Sequence, residues 1–194
     1  MKLIWILCLI IKFQNNEIRQ VELVYGEAYF EVSPSTKHNG MLFNVITKNQ
    51  EVSVLGTEFN IKAYNGDNEI RTTLVGGKFA IKKGGFQNIL KPNQQSIIGY
   101  DSDVIQVYNV DTSQEVSWVN GLFTFNGMAL EDILVILSRW YDTSVFYKSD
   151  KQRKINFTGV LERSKSINEI LKLIELANQG EVSFKVSNNI IIVK

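Results

Sequence analysis

Chemistry that depends on thiols or imidazoles has almost nothing to work with in this chain: its 194 residues include one cysteine, Cys8, and one histidine, His38. No disulfide can close within the chain, and a structural zinc site, which needs about four Cys or His ligands, cannot be assembled from one of each. The lack of disulfides leaves the compartment open, because oxidising compartments permit disulfides without requiring them. Proline is nearly as scarce, with only Pro34 and Pro92. At 44% hydrophobic and 21% charged residues, the composition is that of an ordered globular protein rather than a disordered or collagen-like one. No charge of one sign dominates, since 21 basic residues stand against 20 acidic ones for a net charge of +1. That balance excludes a general binder of nucleic acid or anionic membrane, which draws its affinity from a basic surplus that displaces counterions. Nor is there a long apolar run. Leu3 to Ile11 falls short of the roughly 20 residues of a spanning helix, and Lys12-Phe13-Gln14-Asn15-Asn16 after it is a poor signal-cleavage site. Bulky Trp5-Ile6-Leu7 before Cys8 argues equally against a lipid-modified cysteine. Residues 1–16 thus read as an apolar segment, a buried strand or a truncated start, with an export signal as the competing reading.

What the chain does have is alternation. From Val21 to about Val110 apolar and polar residues follow period two, as in Phe43 and Val45, Val52 and Val54, Phe59, Ile61 and Ala63, and Phe79 and Ile81. Asn65-Gly66, Gly76-Gly77, Gly84-Gly85 and Pro92-Asn93 supply turn residues between these stretches. Residues 17–110 are therefore expected to form a mainly β domain, rolled antiparallel or solenoid-like. The polar stretch 111–118 is expected to be a connector, and 119–194 a small α+β domain. In that domain Leu130, Ile133, Leu134, Leu137, Trp140 and Tyr141 recur at helical spacing. A second helix starts at a Ser166-x-x-Glu169 capping box, carries Ile167, Ile170, Leu171, Ile174 and Ala177 as a core stripe, and stops near Gly180. Strands at Gly121–Phe125, Val145–Tyr147, Ile155–Leu161, Val182–Val186 and Ile190–Val193 complete a β-α-β-β-α-β-β order of two helices against one small sheet.

Few residues invite a chemical role. In Gly26-Glu27-Ala28-Tyr29-Phe30-Glu31-Val32, alternation places Glu27, Tyr29 and Glu31 on one strand face, with the two carboxylates about 7 Å apart along the rise. A glycosidase pair has a comparable spacing, but a solvated strand face is the expectation. The double glycines lack the lysine and helix of a phosphate loop and read as turns. His38 sits in a polar stretch without a neighbouring nucleophile and is expected in an exposed loop. Trp140 and Tyr141 are expected to pack in a core or an interface. No cofactor, metal or catalytic residue is assigned.

Ordered motifs along almost the whole chain, from about Glu17 to Lys194, resemble the periplasmic part of the FecR family of transmembrane anti-sigma factors. In the first half they are Val21-Glu22-Leu23 leading into Gly26 to Val32, Val54-Leu55-Gly56-Thr57-Glu58-Phe59-Asn60, Thr72-Thr73-Leu74-Val75-Gly76-Gly77 and Leu90-Lys91-Pro92-Asn93-Gln94-Gln95. In the second they are Trp118-Val119-Asn120-Gly121, Phe123-Thr124-Phe125, Arg139-Trp140-Tyr141 and Phe157-Thr158-Gly159. Family members usually have glycine at position 93, and asparagine there tolerates the same positive φ. The resemblance implies a non-enzymatic periplasmic module that docks the signalling domain of a TonB-dependent outer-membrane receptor. It implies action on an extracytoplasmic-function sigma factor only through an N-terminal domain that, with the membrane anchor of full-length relatives, is not expected in this chain. Docking by strand addition is expected at the last strand, Asn189, Ile190, Ile191, Ile192 and Val193, taken as an exposed sheet edge. The alternative is an envelope glycan-binding or hydrolase β protein, which requires a cleft joining Glu27, Glu31 and exposed aromatic rings.

Overall fold

In the computed structural model, which describes residues 2–6, 9–10 and 19–194, the alternating stretches of the first half pair into two sheets. Cys8 and the whole of 11–16 in the apolar segment lie outside the described residues. The strands are β1 (Lys2–Ile6), β2 (Leu9–Ile10), β3 (Arg19–Leu23), β4 (Gly26–Glu31), β5 (Phe43–Thr47), β6 (Gln50–Val54), β7 (Glu58–Ala63), β8 (Glu69–Gly76), β9 (Phe79–Lys83), β10 (Phe86–Leu90), β11 (Gln94–Gly99) and β12 (Gln106–Asn109). One six-stranded sheet runs β1-β4-β7-β8-β11-β12, and the other runs β10-β9-β6-β5-β3-β2. Each ladder is antiparallel except β3 with β5, which is parallel because β4 between them in sequence crosses to the other sheet. Inward residues of both sheets, among them Val21, Phe30, Val45, Phe59, Leu74 and Ile81, share one core. The first unit, Met1–Val116, is thus a two-sheet sandwich.

The stretch expected as a connector is partly folded. Thr112–Glu115 makes one turn of helix, α1, whose N-cap Asp111 accepts a hydrogen bond from the Ser113 backbone. α1 packs on β8. Asn93, at φ 65°, accepts a bond from the Thr112 hydroxyl at 2.9 Å.

The second unit, Ser117–Lys194, follows the β-α-β-β-α-β-β order: β13 (Leu122–Ala129), α2 (Leu130–Tyr141), β14 (Ser144–Tyr147), β15 (Asn156–Glu162), α3 (Ile167–Ala177), β16 (Phe184–Ser187) and β17 (Ile190–Val193). The single small sheet expected is instead two, β13-β15 and β14-β17-β16. Phe123, Phe125, Phe157 and Leu161 from the first sheet meet Ile191 and Val193 from the second, with the buried stripes of α2 and α3, in one core. The capping box at the start of α3 is made in both directions: the Ser166 hydroxyl accepts from the Glu169 backbone, and the Glu169 carboxylate accepts from the Ser166 backbone at 2.8 Å. Ala177, expected in the α3 stripe, is exposed, since it lies in the helix's last position beyond the reach of the core.

Candidate functional site

The two signatures of the first half are hydrogen-bonded neighbours. β4 and β7 pair antiparallel with Glu27 opposite Lys62, Tyr29 opposite Asn60, Phe30 opposite Phe59 and Glu31 opposite Glu58. On the core side Phe30 and Phe59 stack at 4.9 Å. The loop of the second signature needs its glycine: at Gly56, φ is 148° and a Cβ would stand 2.7 Å from Pro34 Cα. Thr57 on the same loop exchanges backbone bonds with Val32 at 3.0 and 3.2 Å, which fastens the second signature to the end of the first.

The solvated face expected for Glu27 and Tyr29 is not found. Both are only 6% exposed. Glu27 accepts from the Asn60 amide at 2.7 Å and the Tyr64 hydroxyl at 3.2 Å, with Lys62 Nζ at 3.7 Å. Lys62 also donates to Glu115 of α1 at 3.2 Å, and the same Glu115 oxygen accepts from Gln95 at 3.0 Å, whose amide also bonds the Thr73 hydroxyl at 2.8 Å. Burial pushes the Glu27 carboxyl up, against the opposing pull of Lys62, Asn60 and Tyr64. Burial pulls Lys62 down, yet the adjacent Glu27 and Glu115 carboxylates leave it raised. Both carboxylates and the ammonium of this face are thereby committed to one another and to neutral donors, and among its buried groups Asn60 Oδ1 is left without a partner, which fits a structural ladder rather than an acid awaiting substrate. Asn60, Lys62 and Tyr64 are the partners sequence reasoning did not assign. Their signal lay in alternation: the pattern that sets Phe59, Ile61 and Ala63 on one face sets Asn60, Lys62 and Tyr64 on the other.

The remaining candidates fall apart from Glu27. His38 ends a short 3₁₀ turn, Ser35–His38, with Nε2 2.8 Å from the Ser33 hydroxyl. Trp140 and Tyr141 are half-buried against the second core. The Arg163 guanidinium lies 3.5 Å from the Trp140 ring centre and donates to the Trp118 carbonyl, and the Tyr141 hydroxyl donates to the Lys165 carbonyl at 2.7 Å. A cleft of about 220 Å³ is lined by Val24, Lys48, Ala63, Asn65, Gly66, Asp67, Ile70 and Tyr100, so neither Glu27 nor Glu31 borders it. Among the described residues no group of three or more His, Cys, Asp or Glu side chains is placed to hold a metal ion.

The last strand is not an edge. β17 lies in the middle of its sheet, parallel to β14 on one side and antiparallel to β16 on the other, so the backbone of Ile190 to Val193 is spent in two ladders and cannot accept a partner strand. Asn189 turns the β16–β17 hairpin with Asn188, both at positive φ. Ile191 and Val193 point into the core, while Ile190 and Ile192 point outward. The free edges are β14 and β16. Ser144 and Lys148 donate their backbone N–H groups to Asn189 and Val193, so the alternate residues Val145 and Tyr147 direct theirs to the open side. Phe146, opposite Ile192 and 58% exposed, forms an outward apolar strip with Ile192 and Ile190. Its sequence signal was Val145-Phe146-Tyr147, apolar on both faces.

A β sandwich followed by an α+β unit, with its signature carboxylate built into the scaffold, defines a two-unit, mainly β class of protein. Two family descriptions match the chain, "FecR protein" over residues 7–79 and "FecR, C-terminal" over residues 122–193. The chain belongs to the FecR family. Two crystal structures of a "putative anti-sigma factor" from Parabacteroides distasonis ATCC 8503, at 1.65 Å and 2.50 Å resolution, are similar to it with TM-scores of 0.75 and 0.74. Each is 25% identical, and each match covers 94% of this chain and 82% of the other. No curated protein matches the chain. Among the described residues no helix is long and apolar enough to cross a membrane.

Proposed function

We propose that this chain is the periplasmic, signal-receiving part of a FecR-type anti-sigma regulator, and that its second unit docks the signalling domain of a TonB-dependent outer-membrane receptor. In this reading receptor occupancy passes through the docked domain to the inner membrane and there to an extracytoplasmic-function sigma factor. Family membership and the likeness to a "putative anti-sigma factor" support the regulatory class. The observation that carries docking is the outer face of the β14-β17-β16 sheet, where Phe146, Ile192 and Ile190 lie beside the open β14 edge. Backbone groups of Val145 and Tyr147 would pair with a strand of the receptor domain, and the apolar strip would bury against it. The glycan-binding or hydrolase alternative loses its acid pair, because Glu27 is buried and engaged by Asn60, Tyr64 and Lys62.

The test is calorimetry of the chain with the signalling domain of its cognate receptor. Saturable binding is expected, weakened about tenfold or more by Phe146→Glu, which places a charge on the strip. No heat of binding at about 100 µM of either partner, or full affinity in F146E, would sink the assignment of this surface.

A further inference from the structure

The first sheet ends on a strand suited to pairing. β12 is its outermost strand among the described residues, and all of its residues are exposed. Natural edges are usually blunted by charge or proline, yet Val104-Ile105-Gln106-Val107-Tyr108-Asn109-Val110 contains neither. Beside it lies β10, the outermost strand of the second sheet, equally uncharged, with the Asn88 amide donating to the Ile105 carbonyl at 3.4 Å. Phe86, Ile89, Val104, Val107 and Tyr108 are all large apolar side chains left at the surface here.

The ladder dictates which backbone groups are open. β12 pairs with β11 from Gln94↔Asn109 to Ile97↔Gln106, and the Val110 N–H donates to the Asn93 carbonyl at 2.9 Å in the same register. Residues bonding one neighbour alternate with those facing the other side. Gln106, Tyr108 and Val110 therefore bond inward, and Ile105, Val107 and Asn109 aim their N–H and C=O groups outward, the Ile105 carbonyl offering the second lone pair that its bond from Asn88 leaves.

We propose that this edge is a self-association surface, on which a second copy of the chain adds its own β12 antiparallel about a twofold axis at Val107. Opposed residues of an antiparallel pair share a sheet face, and a twofold axis normal to the sheet preserves faces, so the axis must set one residue against its own copy. With Val107 there, Gln106 meets Tyr108, Ile105 meets Asn109 and Val104 meets Val110. Outward-bonding residues meet each other, for about six backbone hydrogen bonds. An axis at Tyr108 would give about four, because inward-bonded groups would occupy the centre. Tyr108 and Gln106 already hydrogen-bond within one chain at 3.1 Å, and the paired edges offer the same partners across the axis. No like charges oppose until Asp103 meets Asp111, where the strand has ended. A foreign strand would find no charge here to select it, whereas the edge complements itself.

The surface is small, so the dimer is weak, with a dissociation constant on the order of 10–100 µM. Sedimentation velocity of the full chain from about 2 to 200 µM tests it. The wild type is expected to shift from monomer to dimer and stop there, as a closed twofold requires. Val107→Lys, which sets two ammonium groups together at the axis, and Val107→Pro, which removes the outward N–H, should each weaken the dimer about tenfold or more. Both variants keep the wild-type circular dichroism and melting temperature, because the Val107 N–H is not used by β11. Phe146→Glu, in the other unit, leaves the dimer unchanged. A chain that stays monomeric at 200 µM, growth beyond a dimer, or wild-type association in both Val107 variants would overturn the proposal.

Discussion

Replacing Glu27 by alanine tests whether the signature carboxylate holds the first unit together. The substitution leaves the Asn60 amide and the Tyr64 hydroxyl without the oxygen they donate to. Asn60 is 1% exposed and its Oδ1 has no hydrogen-bond partner, so no bond of that side chain survives. Each buried polar group so orphaned costs about 1–3 kcal/mol. Tyr64 retains another interaction and counts at the low end, while Lys62 keeps Glu115 at 3.2 Å and adds little. The expected loss is about 2–4 kcal/mol, or about 30- to 900-fold in the opening equilibrium. Native-state hydrogen exchange read by mass spectrometry resolves it by segment: peptides over β4 and β7 should exchange faster by that factor, and α3 should not change. A pH series adds a second readout. Burial holds the Glu27 carboxyl above its ordinary value of 4.5, so the folded chain keeps a proton that the unfolded chain releases. That contribution to stability is fully present below about pH 4.5 and is lost as pH rises through the folded-state value. Wild type should therefore gain on Glu27→Gln as pH is lowered from 7 towards 4.5. Parallel pH profiles, or an E27A effect under about fivefold at β4 and β7, would refute the reasoning.

Gly56→Ala should cost about 2–4 kcal/mol, combining a strained φ with a Cβ 2.7 Å from Pro34 Cα; a urea midpoint within error of wild type would contradict this. Ser166→Ala removes the hydroxyl half of the α3 capping box and should destabilise the second unit by about 1 kcal/mol, measured by exchange at the first turn of α3. Arg163→Lys loses the planar group stacked on Trp140 and bonded to the Trp118 carbonyl. It should cost about 1–2 kcal/mol and change the tryptophan emission, since a point charge does not reproduce the stack.

Local signals were legible wherever a residue's role is settled by its near neighbours. Alternation located the strands of the first unit, the Ser166-x-x-Glu169 spacing located the start of α3, and Asn93 takes the positive φ expected of it. What alternation could not supply is what each face meets. Glu27 and Tyr29 share a polar strand face as expected, but the neighbouring strand brings Asn60 and Lys62 onto the same face and α1 brings Glu115. The face is polar and closed rather than polar and wet. Sheet membership was equally hidden. β13 and β15 separate from β14, β16 and β17 through pairings between residues far apart in sequence, and no local pattern encodes which strands will meet.

The last strand shows where a sequence signal existed and was read too narrowly. Ile190-Ile191-Ile192-Val193 is apolar at every position, and a run without alternation marks apolar side chains on both faces of the sheet rather than an open backbone edge. The true edges are mixed: Ser144 interrupts β14, and Lys185 and Ser187 interrupt β16. In the proposed docking, centrality changes which atoms of the strand can take part. Its backbone is committed to β14 and β16, and Ile191 and Val193 are committed to the core. Of β17, Ile190 and Ile192 face outward beside Phe146, so a partner on this face would meet side chains from β17 and backbone from an edge strand, which beside Phe146 is β14. Substituting Ile192 should therefore lower affinity without altering the pairing of β17, whereas blocking the Val145 N–H should remove the strand-addition component.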